Sequence, residues 1–442
     1  MTRRHGYALL SAIVTVIVAL SAVIYITAAA DDGGSRGTLA AGHPAQPGSA
    51  APASVGAWVS TWSASPSGAE PGTGTYGMAG RSVRNVVHTD VGGTSARITL
   101  SNLYGRQPMT VTHASIAVAA AGGPAAAADT MRRVTFGGAA SVAVPAGGQV
   151  VSDAVPLAVP ADSDVLVTTY SPTPSGPVTF HRHARQISYA AGGDRTEDAS
   201  GAGYTEQSPY WRCLTALDVL SDEAVGTVVA IGDSITDGIT STEGANRRWT
   251  DVLAERLRHA AGSGDVPRYS VVNQGISGNR VLAGGLGRPA DNPSALSRFD
   301  RDVLGRTNVK AVVVDLGVND ILRNPGRADA DRITAGLRTL VREAHARGLR
   351  VVGATLMPFG GHRGYRDDRE QVRQAVNARI RSGTVYDAVV DFDAALRDPY
   401  DPRRLGARYD SGDHLHPSDR GFAKMAEVFD LTSLKGSAPA QL

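Results

Sequence analysis

Two patterns of apolar and polar positions divide this chain. Between residues 57 and 222 the apolar runs are short, rich in β-branched residues and broken by Gly, Pro, Asp and Ser. "SARITLSNLYG" alternates, with Ile98 and Leu100 on one face, and "VVSDAVPLAVP", "DVLVTTYSP" and "PVTFHRHARQISY" read the same way. Many short strands without helical periodicity predict an all-β sandwich or jelly roll over 57–222. From Val225 the pattern changes. Continuous apolar runs ("TVVAIGDS", "YSVVNQG", "VKAVVVDLG", "LRVVGATLMPF", "YDAVVDFDA") alternate with amphipathic ones ("RRWTDVLAERLRHAA", "ADRITAGLRTLVREAHARG", "DDREQVRQAVNARIRSG"). In the second of these, Ile333, Leu337, Leu340, Val341 and Ala344 form one helical stripe that stops at Gly348. Strands apolar throughout belong to a sheet buried on both faces. Residues 223–442 therefore predict a doubly wound α/β domain with a mostly parallel sheet of about five strands.

The first 56 residues fit neither pattern. Arg3 and Arg4 precede an apolar run from Ala8 to Ala30, and Ala28 and Ala30 match a small-x-small cleavage site. Residues 1–30 read as a signal peptide, or, given the length of the run, as an uncleaved N-terminal anchor. Both place the bulk of the chain outside the cell, secreted or tethered to the membrane. Residues 31–56, rich in Ala, Gly, Pro and Ser, read as a flexible linker. A length of 442 residues suits two or three domains, and 42% hydrophobic against 19% charged residues suits a packed core. A formal net charge of +2 with mixed signs argues against a nucleic-acid partner. The single cysteine, Cys213, excludes an intrachain disulfide and reads as a small core residue.

In a doubly wound sheet the ligand site lies outside the carboxyl ends of the strands. The residues just past each apolar run are therefore informative. "VVAI" leads into Gly232-Asp233-Ser234, "SVVNQ" into "GISGNR", "AVVVDL" into "GVND", and "VVGATLMP" into a Gly-rich loop at Phe359–Tyr365. Before the last helix stands "DSGDHLHPSDRGF". A serine hydroxyl needs a base to become a nucleophile. Histidine is the side chain suited to that task, which makes His416 the candidate base, and Asp413 stands three residues earlier to fix its tautomer. The N–H groups of Ser234 and Gly278 and the side-chain amide of Asn319 are candidate oxyanion donors. His414 and Asp410 are weaker rivals for the base and the acid. Asp233, Asp237 and Asp320 read as braces of their own turns.

These four blocks, "GDSITDG", "NQGISGNR", "GVND" and Asp413-x-x-His416, resemble in order those of the SGNH hydrolases, also called GDSL esterases/lipases. The resemblance spans Val225 to Leu431, and the closing block with its β-rich leader looks like a secreted actinobacterial type. It implies a flavodoxin-like hydrolase fold, ester hydrolysis without metal or cofactor, Ser234 as nucleophile, Gly278 and Asn319 as oxyanion donors, and Asp413 and His416 completing the triad. Ile235 replaces the Leu of the motif's label. Thr236 stands where a Gly-x-Ser-x-Gly elbow needs its second glycine, which argues against the α/β-hydrolase fold.

Around this centre, Arg280 and the Phe359–Tyr365 loop are the better candidates for substrate contact, while Trp249 reads first as core packing, with substrate contact as its second reading. His181 and His183 are spaced for a metal, but the sequence offers them no third ligand nearby, so no metal site is assigned. The expected substrate is a short-chain acyl or lipid ester. An acetylated polysaccharide is the alternative, with the β-region binding glycan through Trp58, Trp62, Tyr76, Tyr104 or Tyr170. A reading of another class makes the β-region a surface binding module attached to an inactive hydrolase.

Overall fold

The computed structural model describes residues 56–262, 264–284, 292–323 and 329–437. The expected signal or anchor at 1–30 and nearly all of the 31–56 linker lie outside them. Residues Ser54–Leu442 form one compact unit.

The chain from Ala57 to Ser221 is β-rich, as its alternation predicts. Ala57–Ser63 pairs antiparallel with Leu214–Ser221, which pairs in turn with Gly93–Ser101. A second sheet is built on Arg81–Thr89, Ser163–Ser171 and His113–Val118. Buried residues of both sheets, among them Val59, Ile98, Leu217, Val87, Ile116 and Val167, share one apolar cluster. A small third sheet pairs Thr179–His181 with Trp211–Arg212 and Gly68–Ala69. Cys213 is a buried free thiol, as expected, and burial pushes its pKa up to about 12.

The C-terminal part is α/β. Its five parallel strands are β1 (Gly226–Gly232), β2 (Tyr269–Gly275), β3 (Val309–Asp315), β4 (Arg350–Ala354) and β5 (Ala388–Val390). They lie in the order 2-1-3-4-5, so the strand order reverses beside β1. Such a reversal opens a crevice at the carboxyl ends of the strands on either side of it. The helices that bear on the site are α1 (Ser234–Asp237), α2 (Trp249–Ala260), α3 (Val318–Leu322), α4 (Ala330–His345), α5 (Asp367–Arg381) and α6 (Asp419–Glu427). Helices α2 and α6 pack together, as do α4 and α5. The stripe read from the sequence of α4 is its buried face, and Gly348 turns the chain with φ +70°.

A polar seam joins the β-rich part to the parallel sheet. The Ser60 N–H donates to Thr227 Oγ1 at 3.1 Å, and Ser270 Oγ donates to the Ser60 carbonyl at 2.8 Å. Gln274 Nε2 donates to Ser63 Oγ at 2.5 Å. Asp90 is buried, accepts from the Val271 N–H at 2.5 Å and pairs with Arg258 at 2.6 Å. Burial pushes the Asp90 carboxyl up to about 6, with Arg258 acting against it.

Candidate active site

Strand β1 is buried along its whole length and ends at Gly232, where a side chain could not fit. A Cβ there would stand 2.1 Å from Thr236 Oγ1. This close approach lets the chain fold back into α1, whose first residue is Ser234. Asp233 caps the turn by accepting from the Ile235 N–H at 3.0 Å, the bracing expected for it. Strand β2 runs into a turn in which the Asn279 N–H bonds the Ile276 carbonyl at 2.9 Å. Gly278 takes φ +79° there, a backbone conformation open to glycine and strained for other residues. Asn319 lies in α3, immediately past β3. The switch point of the sheet thus gathers Ser234, Gly278 and Asn319 from three adjacent strands.

The fourth piece is the loop before α6. Asp413 Oδ1 accepts the N–H groups of Leu415 and His416 at 3.0 and 2.8 Å, which folds the loop onto itself. Its Oδ2 then meets His416 Nδ1 at 2.6 Å, and His416 Nε2 meets Ser234 Oγ at 2.8 Å. The rival pair is formed as well, His414 Nδ1 lying 2.6 Å from Asp410 Oδ2. His414 has φ +64°, and of the two histidines only His416 bonds Ser234.

The Asn319 amide is oriented from both sides. Its Nδ2 donates to Asp233 Oδ2 at 3.1 Å, and its Oδ1 accepts from Arg323 Nε at 2.9 Å. Ser234 is 8% exposed and borders an open cleft of about 560 Å³. One wall of the cleft comes from the β-rich part, through Ser67, Ala69, Phe180, Arg182 and His183. A second lobe, beyond His416 and Arg323, is bounded by His362, Arg363 and Gly364 of the Gly-rich loop.

Residues 230–424 match the model of the GDSL-like Lipase/Acylhydrolase family. That match covers less than half of the chain, and it supports an ester hydrolase in the C-terminal part. A search of curated proteins found no match. Among solved structures, an acetylxylan esterase from Geobacillus stearothermophilus is similar at 24% identity over 48% of this chain and 94% of that one, with a TM-score of 0.34. A GDSL-like lipase from Bacteroides thetaiotaomicron aligns at 22% identity over 47% and 89%, TM-score 0.34. A member of the lipolytic G-D-S-L family from Veillonella parvula aligns at 19% identity over 46% and 96%, TM-score 0.34.

Within this ester hydrolase, two buried carboxyls lie beneath the serine. Burial, reinforced by Asp315, pushes Asp233 well above the usual carboxylate range. Burial raises Asp315 to about 6, although Thr236 Oγ1 donates to it at 2.9 Å. Asp413 moves the other way. Partial burial pushes it up, but the hydrogen bonds from His416 outweigh that and hold it below the usual range. His183 and His362, on the two walls, are both held below the usual imidazole range by burial.

Several sequence expectations need correction. Trp249 is 0% exposed. It packs edge-on against Phe392 with ring centroids 5.7 Å apart and donates to Thr236 Oγ1 at 3.2 Å, so its core reading holds, it supports the Ser234 turn from below, and only the substrate-contact reading falls. The Arg280 guanidinium turns back onto the Gly284 carbonyl of its own loop. Asp320 braces a neighbouring loop, not its own, accepting from the Val281 and Leu282 N–H groups at 2.8 and 3.1 Å. Trp62 is buried and Trp58 lies under Arg97, which leaves Tyr76, 71% exposed, as the clearest open ring among the aromatics named for glycan binding.

The hydrolase also uses residues that the motifs do not reveal. Arg298 is fully buried and donates to the carbonyls of Gly232 and Gln274 at 3.1 and 2.8 Å, and to Asn279 Oδ1 at 2.9 Å. It clamps the ends of β1 and β2 to the Gly278 turn. Arg323 reaches both lobes of the cleft. Among the described residues no group of three His, Cys, Asp or Glu side chains could hold a metal ion.

Proposed function

We propose that this chain is an exported serine esterase. In this reading Ser234, His416 and Asp413 form a catalytic triad, and the Ser234 and Gly278 N–H groups with the Asn319 amide form the oxyanion hole. The observation that carries it is the unbroken hydrogen-bond chain from Ser234 Oγ through His416 to Asp413, at 2.8 and 2.6 Å. His416 Nε2 takes the Ser234 proton as Oγ attacks the ester carbonyl, and Asp413 holds the imidazolium that forms. The three donors receive the negative charge of the tetrahedral intermediate. Its collapse expels the alcohol, protonated by His416. Water, deprotonated by the same nitrogen, then releases the acid from the acyl-enzyme.

A short, polar ester suits the cleft best. Its walls carry the cationic or polar Arg182, His183, Arg323 and Arg363 among the apolar Phe180, Ile239, Ile276, Leu322 and Leu415. An acetylated carbohydrate fits the same walls and is the second reading. The β-rich part, read as a sandwich because its two larger sheets share one core, then acts by shaping the cleft. Export rests on Arg3, Arg4 and the apolar run after them.

Hydrolysis of p-nitrophenyl acetate, octanoate and palmitate by the full chain and by Ser234→Ala tests the reading. Acetate is expected to be cleaved fastest, and the variant to be silent. Equal rates from both proteins would remove Ser234 as the nucleophile, and a preference for palmitate would overturn the short-ester reading.

A further inference from the structure

We propose that His181, on the β-rich part of the chain, is a positioning residue for hydrolysis: through Asp237 it holds the Ser277–Gly278 turn where the Gly278 N–H meets the developing oxyanion. The inference rests on the triad reading and extends it to a residue outside the segment that matches the family.

The bonds form a continuous line. His181 Nδ1 lies 2.8 Å from the Ser65 carbonyl, and Nε2 lies 2.9 Å from Asp237 Oδ1. A carbonyl only accepts, so Nδ1 carries a proton. An ionised Asp237 also only accepts, and Nε2 then carries one as well. The geometry fits an imidazolium paired with an ionised aspartate, both almost wholly buried. The other Asp237 oxygen accepts twice from one residue, from the Ser277 N–H at 2.9 Å and from Ser277 Oγ at 2.6 Å. Ser277 immediately precedes Gly278. Asp237 is also the last residue of α1, the helix that Ser234 begins. One carboxylate therefore spaces the nucleophile's helix from the oxyanion turn, and the β-rich part sets its charge. Arg248 strengthens the grip by donating to the Asp237 carbonyl at 3.1 Å and to the Ala184 carbonyl.

The charge matters because an ionised acceptor makes shorter and stronger hydrogen bonds than a neutral one. Burial works against both charges, but the pair overcomes it: His181 is held above the usual imidazole range and Asp237 below the usual carboxylate range. Without the imidazolium, a buried carboxylate takes up a proton. A protonated Asp237 would grip the Ser277 N–H more weakly, and the turn would move. A misplacement of about 1 Å in an active site can cost on the order of 10²-fold in rate.

The test uses the full chain with His181→Gln, Ser277→Ala, the double variant and Ser234→Ala. Active sites are counted by titration to completion with a fluorophosphonate, and kcat per titrated site, KM and Tm are measured. The expected result is a fall in kcat per site of about 10- to 100-fold in each single variant, with KM within about threefold. The double variant should be little worse than the singles, because both break one line of bonds. A purely structural role would lower Tm or the number of sites and leave kcat per site unchanged. That outcome overturns the proposal. Should the His181 variant fail to fold, Ser277→Ala decides alone, since it removes one hydroxyl from a half-buried turn. Activity surviving in Ser234→Ala would sink the triad reading. A silent Ser234→Ala beside wild-type kcat in Ser277→Ala would sink only this inference.

Discussion

Gly278 has room for a side chain but not the backbone for one. A Cβ there would stand 3.6 Å from its nearest neighbour, Arg323, an ordinary contact, yet φ is +79°. A left-handed conformation costs an L-residue roughly 1–2 kcal/mol, and relaxing it would rotate the N–H away from the serine. Gly278→Ala is therefore expected to lower Tm by only a few degrees and kcat by about 10²-fold, the lower end of what losing one oxyanion donor costs. Steady-state kinetics beside a melting curve checks this. A stability loss with kcat intact would remove the Gly278 N–H from the hole. The other residue-scale feature is the competition between two Asp–His pairs on one loop. Asp410–His414 and Asp413–His416 are equally short at 2.6 Å, so pairing length does not separate the two candidate bases. Of the two, only His416 bonds Ser234.

At the level of elements, β1 and β3 end beside each other and each brings a buried carboxyl, Asp233 and Asp315. A carboxyl raised by burial binds its proton more tightly in the folded chain than in the unfolded one. Stability then falls as pH rises from the unfolded value near 4 to the folded value of about 6 for Asp315, and stays reduced above it. Asp315→Asn keeps an acceptor for Thr236 and removes the titration. It is expected to gain on the order of 1–3 kcal/mol at pH 7.5 and almost nothing at pH 4.5, read as Tm at the two pH values. An equal gain at both would mean that folding does not raise the Asp315 pKa. The elements themselves were legible in the sequence. All five apolar runs are the parallel strands, because a strand buried on both faces must be apolar throughout. Ser234, Gly278 and Asn319 were legible because each stands just past such a run. Arg298, Arg323 and the His181–Asp237 pair were not. Each is a single polar residue whose partners are fixed by tertiary placement, and one buried arginine leaves no period in a sequence. Trp249 reads two ways in the sequence because its place near Ser234 in the chain does not tell which side of the turn it supports.

Over the whole molecule, the β-rich part and the α/β part are bound by polar groups that would be left unsatisfied apart. Asp90, Gln274 and Arg298 are buried, and each has partners across the seam. Leaving a buried donor or acceptor unmet costs about 1–3 kcal/mol each, more for charged groups. The full chain is accordingly expected to melt in one cooperative transition, and a fragment of residues 223–442 to be insoluble or to melt far below it. Two separate transitions in calorimetry would show that the parts fold independently. The same seam ties distant stretches of the sequence together. His181 and His416 stand more than half of the 442 residues apart, and Ser234 and His416 stand 182 apart. A nascent chain that stops short of His416 therefore cannot complete the proposed triad, however well its earlier strands have folded.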